Sequence, residues 1–299
     1  MKLYKTTFIP TSNFATTLKG DTLFGQICWA IRYTFGNDKL EALLLNYETK
    51  PFLVVSDGFA KGYLPKPSLP SNLLGENSDL KKENRKKIWL TIDELQNAEF
   101  LKARTNEDVN YINNSFSVVK NSLNYKTFTT DESGKFSPYS EQENSFTPKD
   151  IYFLLDEEKF SIQELNQTIK TLSLIGYGKN SSIGKGFFDF FDFEEIKLNL
   201  QSNIFMTLSP VVLSNQDFKD SFYEPFTRFG KHGGGLNANP FKKPILMANT
   251  SCVVIFESNY DKPYIGKSVK GHSSIENTVH QGYSIIIPIK DLNIWKHIN

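Results

Sequence analysis

A glycine-rich segment at residues 176–186, GYGKNSSIGKG, carries the side chains best suited to binding an anion. Its four glycines allow positive φ angles and a close approach of the backbone to a ligand. Its lysines supply positive charge, and its serines supply hydroxyl donors for phosphate oxygens. The segment contains no acidic residue, so it predicts a phosphate-binding loop rather than a plain connection. The predicted contact residues are Gly178, Lys179, Ser181, Ser182, Gly184, Lys185 and Gly186.

The spacing within this loop excludes two familiar nucleotide-binding motifs. A P-loop needs GxxxxGK[ST], but the interval from Gly178 to Gly184 is one residue too long, and Gly186 replaces the final hydroxyl residue. A dinucleotide-binding GxGxxG follows a strand, whereas this loop follows a predicted helix, and Ser181 replaces the third glycine. The loop therefore favours a phosphate backbone over a nucleotide cofactor. We expect neither a cofactor nor a metal ion.

A second candidate is the stretch 226–241, FTRFGKHGGGLNANPF. Its basic side chains can hold phosphates, its glycines allow a close approach, and Phe229 or Phe241 can stack on a base. The predicted contacts are Arg228, Lys231 and His232. The same composition is equally typical of a flexible linker, so both interpretations stay open.

The start of the first predicted helix is a third and weaker candidate. Helix N-termini bind anions through their free N–H groups. Asp21 would oppose an anion here, and its ordinary role is to cap the helix, so we predict it as the N-cap. The residues that can still face a ligand are Lys19, Thr22 and Gly25.

Charge is unevenly distributed along the 299 residues, although the net charge is only +1. Residues 1–20, 81–87 and 225–243 are basic, and 81–87 (KKENRKK) holds five basic residues against one acid. By contrast, residues 131–158 hold eight acids and two lysines. Folding can gather the basic segments into one face that binds a polyanion. Charge alone favours the alternative, in which these segments are ordinary solvated surface.

The composition, with 39% hydrophobic and 22% charged residues, is that of a soluble globular protein. The chain has no apolar run of bilayer-spanning length, and its first residues lack the apolar core of a signal peptide. We therefore expect no membrane association and a cytoplasmic location. Cys28 and Cys252 are too few for a structural zinc site, and Cys28 is expected to be a buried thiol.

The elements that must position these residues follow the order strand, helix, strand, strand, helix, strand. They are predicted at 2–9, 22–35, 52–56, 151–155, 162–174 and 187–193, with a short helical stretch at 39–46. Ser161 and Glu164 form a capping box at the start of the second long helix. This order predicts an α+β, ferredoxin-like (RRM-like) fold.

Two regions depart from that pattern. Residues 62–130 begin with a proline-rich stretch and predict an insertion outside the core that contains an extended hairpin. A smaller region follows residue 200, with predicted strands at 203–213, 245–257 and 283–289. We predict an N-terminal domain of residues 1–200 and a C-terminal domain of residues 201–299. The second domain can be a degenerate copy of the first.

Several blocks of this sequence resemble the RAMP superfamily of CRISPR-associated proteins. Within it, they are similar to the subunit of type III-A (Csm) effector complexes that holds the 5′ handle of CRISPR RNA (crRNA). The most specific block is 18–31, LKGDTLFGQICWAI. Residues 51–59 with 63–67, and the loop 178–186, match as well, and the blocks follow the family's order over most of the first 190 residues.

This resemblance implies two packed ferredoxin-like domains, with a thumb hairpin inserted in the first. It also implies a non-catalytic RNA-binding subunit at one end of an antiviral ribonucleoprotein complex. Its partners would be the crRNA 5′ handle, the large palm-domain subunit and a neighbouring backbone RAMP subunit. The glycine-rich loop would face the RNA.

Two alternative functions have different requirements. A metal-independent endoribonuclease of the RNA-processing RAMP type needs a general base, usually histidine. The chain has four histidines, all after residue 231: His232, His272, His280 and His297. None lies in the predicted ferredoxin-like domain, so we do not expect an enzyme. A purely structural scaffold would instead dock through the acidic segment 131–158 and bind no RNA.

Overall fold

The computed structural model describes residues 1–128, 130, 137–198, 201–213, 218–231, 241–258, 260–273 and 278–291. These residues form an α+β protein, as predicted. The helices are α1 (Gly20–Phe35), α2 (Asn37–Leu44), α3 (Lys81–Lys86), α4 (Ile92–Gln96) and α5 (Ile162–Ile175). Within the described ranges, none of the helices combines the length and the apolar character that crossing a membrane requires.

The strands are short, and most belong to two antiparallel sheets. In chain order they are β1 (Lys2–Pro10), β2 (Leu53–Val55), β3 (Phe59–Ala60), β4 (Leu64–Pro65), β5 (Trp89–Leu90), β6 (Asn113–Lys120), β7 (Tyr139–Phe146), β8 (Lys149–Leu155), β9 (Phe188–Phe190), β10 (Glu194–Ile196), β11 (Ile204–Thr207), β12 (Phe218–Phe222), β13 (Pro225–Arg228), β14 (Ile245–Ala248), β15 (Val253–Phe256), β16 (Tyr264–Gly266) and β17 (Tyr283–Ile289). Short 3-10 helices occur at Ser78–Leu80, Phe100–Lys102 and Ser181–Ile183.

The first sheet has the strand order β10-β1-β8-β2, with β9 beside β1 and β3 beside β8. The central strand β8 is buried along its whole length, as its apolar run IYFLL predicts. Helices α1 and α5 pack against each other and against strands of this sheet. A hydrogen bond of 2.8 Å between the hydroxyls of Thr34 and Thr171 joins the two helices.

The second sheet has the order β12-β15-β11-β17-β16 and is built from buried Ile, Val and Phe residues. Strand β17 contacts β2 and β8, and one large core takes side chains from both sheets. A second, smaller cluster belongs to the second sheet and includes Phe205, Val254 and Ile286. The fully buried Gln281 accepts a hydrogen bond from the Val55 N–H (2.9 Å) and donates one to the Val55 carbonyl (2.8 Å). When four strands of each sheet are numbered by their position in the sequence, both sheets show the same spatial order: fourth, first, third, second. In the first sheet this order is β10-β1-β8-β2, and in the second it is β17-β11-β15-β12.

Helix α1 begins earlier than predicted, and the prediction that Asp21 is its N-cap is wrong. Lys19 occupies the N-cap position and its side chain makes no capping hydrogen bond. The carboxylate of Asp57, from the turn after β2, accepts a hydrogen bond from the Gly20 N–H at 2.8 Å. This cap comes from a residue 37 positions away, so a local sequence pattern could not reveal it.

The expectation that residues 62–130 lie outside the core is wrong for the first part of that segment. Strands β4 and β5 pair, and α4 begins with a capping box of Thr91 and Glu94. The buried residues of this segment that belong to the main core are Leu64, Leu74, Trp89, Leu90, Leu95, Phe100 and Ala103. The extended hairpin is formed by β6 and β7, so it ends at Phe146, beyond the predicted boundary. Strand β7 was missed because its sequence, YSEQENSF, is almost wholly polar, which is a weak strand signal.

Other predicted elements differ in smaller ways. The capping box of Ser161 and Glu164 is confirmed at the start of α5. The short helix predicted at 39–46 forms two residues earlier, as α2. The strand predicted at 245–257 is two strands in different sheets, β14 and β15, separated by a turn in which Ser251 has φ 69°.

Candidate phosphate-binding surface

The glycine-rich loop 176–186 connects α5 to β9 and is held in place by the segment that links β1 to α1. The Gly186 N–H donates to the Asn13 carbonyl at 2.9 Å. The Lys179 N–H donates to the Thr16 hydroxyl at 3.0 Å. The loop is therefore a fixed part of the fold, which explains its glycines better than flexibility does.

All four glycines of the loop have positive φ, but their surroundings differ. A Cβ on Gly178 would lie 2.6 Å from the side chain of Thr16, and one on Gly186 would lie 2.0 Å from the Tyr177 carbonyl oxygen. A Cβ on Gly184 would meet open space. Gly178 and Gly186 thus serve close packing within the protein, whereas Gly184 leaves the surface open to a ligand.

The loop has no acids of its own, but the fold places two glutamates of β7 against it. Lys179 forms a salt bridge with Glu141, and Lys185 forms one with Glu143 at 2.7 Å. Lys120, on β6, also contacts Glu141. Residues two apart on a strand point to the same face, so the spacing of the two glutamates was the signal that sequence reasoning missed.

These salt bridges hold the glutamates ionised. Hydrogen bonds from Lys120 and Lys179 lower the pKa of Glu141 to about 2. The hydrogen bond from Lys185 lowers the pKa of Glu143, whose side chain is only 1% exposed. The two loop lysines differ in access, because Lys179 is 60% exposed and Lys185 only 23%.

The other predicted contact residues of the loop differ in their exposure to solvent. Ser182 and Gly184 lie on the surface, next to Ile183, whose side chain is 60% exposed. Ser181 is half-buried beneath them. The open tip of the loop is therefore formed by Lys179, Ser182, Ile183 and Gly184.

The candidates at the start of α1 lie at a junction with the second sheet. The Lys19 ammonium group is held by the Asp57 carboxylate at 2.7 Å and also donates to the Thr250 hydroxyl at 3.2 Å. Thr22 is half-buried, and Gly25 has open space where a side chain would be. Lys19 thus links the two sheets in this structure.

In the stretch 226–241, the structure separates the predicted contacts. Arg228 forms a two-pronged salt bridge with Asp21, at 2.5 Å from Nε and 2.7 Å from Nη2. Lys231 is exposed, with its ammonium 5.6 Å from the centre of the Phe241 ring. His232 lies outside the described residues. The arrangement brings Arg228 against the first turn of α1.

His272 and His280 are buried, with ring centres 5.7 Å apart. His280 Nε2 lies 3.5 Å from the Asp21 carboxylate. Burial lowers the pKa of His280 to about 4, and the neighbouring Lys242 and Arg228 add to this effect while Asp21 opposes it. Both imidazole rings therefore lie away from the protein surface. His297, like His232, lies outside the described residues.

The buried His280 predicts a loss of stability in mild acid. The folded protein keeps the imidazole neutral below its ordinary pKa of 6.5, while the unfolded chain takes up the proton. The contribution to stability is complete above pH 6.5 and declines as the pH falls towards 4, reaching a loss of about 2 kcal/mol at pH 5. Urea unfolding at several pH values measures it. His280→Gln should show a correspondingly smaller acid dependence, and an equal dependence in both proteins would contradict the assignment.

Comparisons with known proteins agree with this architecture. A chain in the crystal structure of the Csm1-Csm4 cassette in complex with AMPPNP aligns over 97% of this chain and 98% of its own length, with 18% identity and a TM-score of 0.58. A chain of the Csm3-Csm4 subcomplex in the type III-A CRISPR-Cas interference complex aligns over 97% and 100%, with 16% identity and a TM-score of 0.58. No curated protein matches the chain. The family model of the RAMP superfamily matches residues 9–189, more than half of the 299 residues, and the chain therefore belongs to that superfamily.

Proposed function

We propose that this chain is the Csm4-like subunit of a type III-A Csm complex, where it holds the 5′ handle of crRNA. The observation that carries the proposal is a fold shared along nearly the whole length of chains solved with Csm1 and with Csm3. In this role it anchors the large palm-domain subunit and a backbone RAMP subunit. It binds RNA without cleaving it, which the burial of His272 and His280 supports.

The two sheets support the assignment of two ferredoxin-like units. The first sheet has the strand order fourth, first, third, second, with α1 after its first strand and α5 after its third. This is the arrangement of the β-α-β-β-α-β fold. The second sheet repeats this order, although the described residues after 200 contain no helix. The second sheet is then the degenerate copy of the first ferredoxin-like unit. The β6–β7 hairpin, inserted between the second and third strands of the first unit, is the proposed thumb.

The proposed RNA contact is the open tip of the glycine-rich loop. Lys179 is 60% exposed, and Glu141 keeps its contacts with Lys120 and Asn180 when Lys179 moves, so a phosphate group can replace Glu141 as the partner of Lys179. Gly184 leaves room for the RNA backbone, and Ser182 offers a hydroxyl donor. Lys185 has a different role, because it balances the buried charge of Glu143 and joins the loop to the hairpin. RNA binding at Lys179 therefore competes with a contact to the thumb.

This competition predicts opposite effects for two substitutions. Lys179→Ala should weaken binding of a handle-containing RNA roughly fivefold and lower the slope of log affinity against log salt by about 0.7, the value of one lost phosphate contact. Glu141→Gln should strengthen binding by a similar factor, because it frees Lys179 and Lys120 for phosphates. Filter binding across a salt series measures both.

A matched control is Lys170→Ala, which removes one charge from an exposed position on α5. This variant should leave the RNA affinity and its salt slope nearly unchanged. If Lys179→Ala behaves like this control, the loop tip is not the RNA contact.

The assembly itself is tested by native co-purification of the tagged chain. We expect recovery of crRNA together with two protein partners, one carrying the palm domain and one of the RAMP superfamily. Recovery of the partners without RNA would support a structural scaffold and contradict handle binding.

A further inference from the structure

The basic run 81–87 forms a rigidly mounted helix that the loop site does not use. Lys66 holds the inner side of α3, since its ammonium donates to the Asn84 carbonyl at 3.0 Å and forms a largely buried salt bridge with Glu76. The Asn84 side chain donates to the Asn77 carbonyl at 3.0 Å. Immediately after α3, the chain enters the core at Trp89. The run is therefore a fixed surface and not a mobile basic tail.

The anchoring of Asn84 decides which residues point outward. Successive helix residues are about 100° apart, so Lys82 and Lys86 lie roughly 40° from each other and roughly 160° from Asn84. Arg85 and Glu83 flank this pair on opposite sides, each roughly 80° from its centre, while Lys81 lies roughly 60° from Asn84. The four basic side chains are exposed. The outward face of α3 thus presents Lys82 and Lys86, with Arg85 on one flank and Glu83 on the other.

Within the part of the chain that the structure describes, no carboxylate forms a salt bridge with Lys81, Lys82, Arg85 or Lys86. Two of them, Lys81 and Lys82, stand in the first turn of the helix, where the helix dipole disfavours positive charge. The helix dipole favours Arg85 and Lys86 in the last turn, but neither the dipole nor ion pairing accounts for Lys81 and Lys82. The lysines of the glycine-rich loop differ, because both are paired.

We propose that the outward face of α3 binds the phosphate backbone of RNA without regard to base sequence. Protein–protein interfaces are depleted in lysine and centred on aromatic or other apolar residues, whereas the outward face of α3 carries lysines and no aromatic or apolar residue. A phosphate backbone offers the complementary charge, and point-like ammonium groups suit it. This surface is built on the segment after β4, whereas the glycine-rich loop packs on residues 11–17 and β7. The inference does not rest on the proposed handle binding.

The test uses the full-length chain with the double substitution Lys82→Ala and Lys86→Ala. The probe is a long labelled oligouridine, which has no handle sequence. We expect the affinity in 0.1 M salt to fall on the order of tenfold and the salt slope to fall by roughly 1.4, since each phosphate contact on a single strand contributes about 0.7. The thermal unfolding midpoint should stay unchanged because both side chains are exposed.

Two comparisons make the result decisive. The control variant Lys170→Ala with Lys262→Ala removes the same charge from exposed positions elsewhere and should retain the wild-type slope. Lys179→Ala should instead weaken the binding of handle-containing RNA. The two RNA probes therefore show separately whether this inference or the proposed handle binding fails. A wild-type slope for the α3 variant would overturn the inference. Loss of binding to polyglutamate alone, with RNA binding intact, would assign the face to an acidic protein and also overturn it.

Discussion

Asp21→Ala is expected to lower the free energy of unfolding by about 3–5 kcal/mol, the range for breaking a buried ion pair. The Asp21 side chain has no exposed surface, and it accepts two hydrogen bonds from Arg228. Without it, the largely buried guanidinium group of Arg228 and the ring of His280 lose their nearest anion. This salt bridge joins α1, which packs on the first sheet, to β13 in the C-terminal region. We therefore expect the loss of stability to affect both regions.

A double-mutant cycle separates the pair from its surroundings. Chemical denaturation of Asp21→Ala, Arg228→Ala and the double variant should give a coupling free energy of about 2–3 kcal/mol. The double variant should be less destabilised than the two single changes together, because it leaves no unpaired charge. Strictly additive losses, or a loss below about 1 kcal/mol for Asp21→Ala, would contradict the buried pair.

Gly186→Ala is expected to destabilise the protein by roughly 3–5 kcal/mol, through strain at positive φ together with a steric clash. Gly186 has φ 78°, and its new Cβ would lie 2.0 Å from the Tyr177 carbonyl oxygen and 2.7 Å from the Tyr177 nitrogen. Both obstacles are backbone atoms, which cannot rotate away. The glycine-rich loop would have to separate from the segment 11–17, and we expect RNA binding to weaken with it. Thermal unfolding measures the first effect.

The matched control is Gly184→Ala in the same loop. Gly184 has φ 87°, close to that of Gly186, but its Cβ would meet no atom within 4 Å. Only the backbone strain applies, so the loss should be about 1–2 kcal/mol. The difference between the two variants isolates the clash. Equal losses would show that the close approach of Gly186 to Tyr177 is not a feature of the folded protein.

The main elements of the first sheet were predictable because their signals are local. On α1, the apolar residues Leu23, Ile27 and Ile31 recur at helical spacing, and all three are fully buried. The capping box of α5 lies within four residues of sequence. The second sheet was less predictable, since short strands from 204 to 289 pair across long loops, and strand pairing has no local signature.

The family, the α+β class and the position of a glycine-rich loop bearing Lys179 and Lys185 could all be predicted from the sequence. The surroundings of those two lysines could not, because they depend on how distant segments pack. Electrostatic pairing depends on distance in space, and the hairpin brings Glu143 against Lys185 from 42 positions away. A segment free of acids along the chain thus became a set of salt bridges, whereas none of the described carboxylates forms a salt bridge with the basic residues of α3.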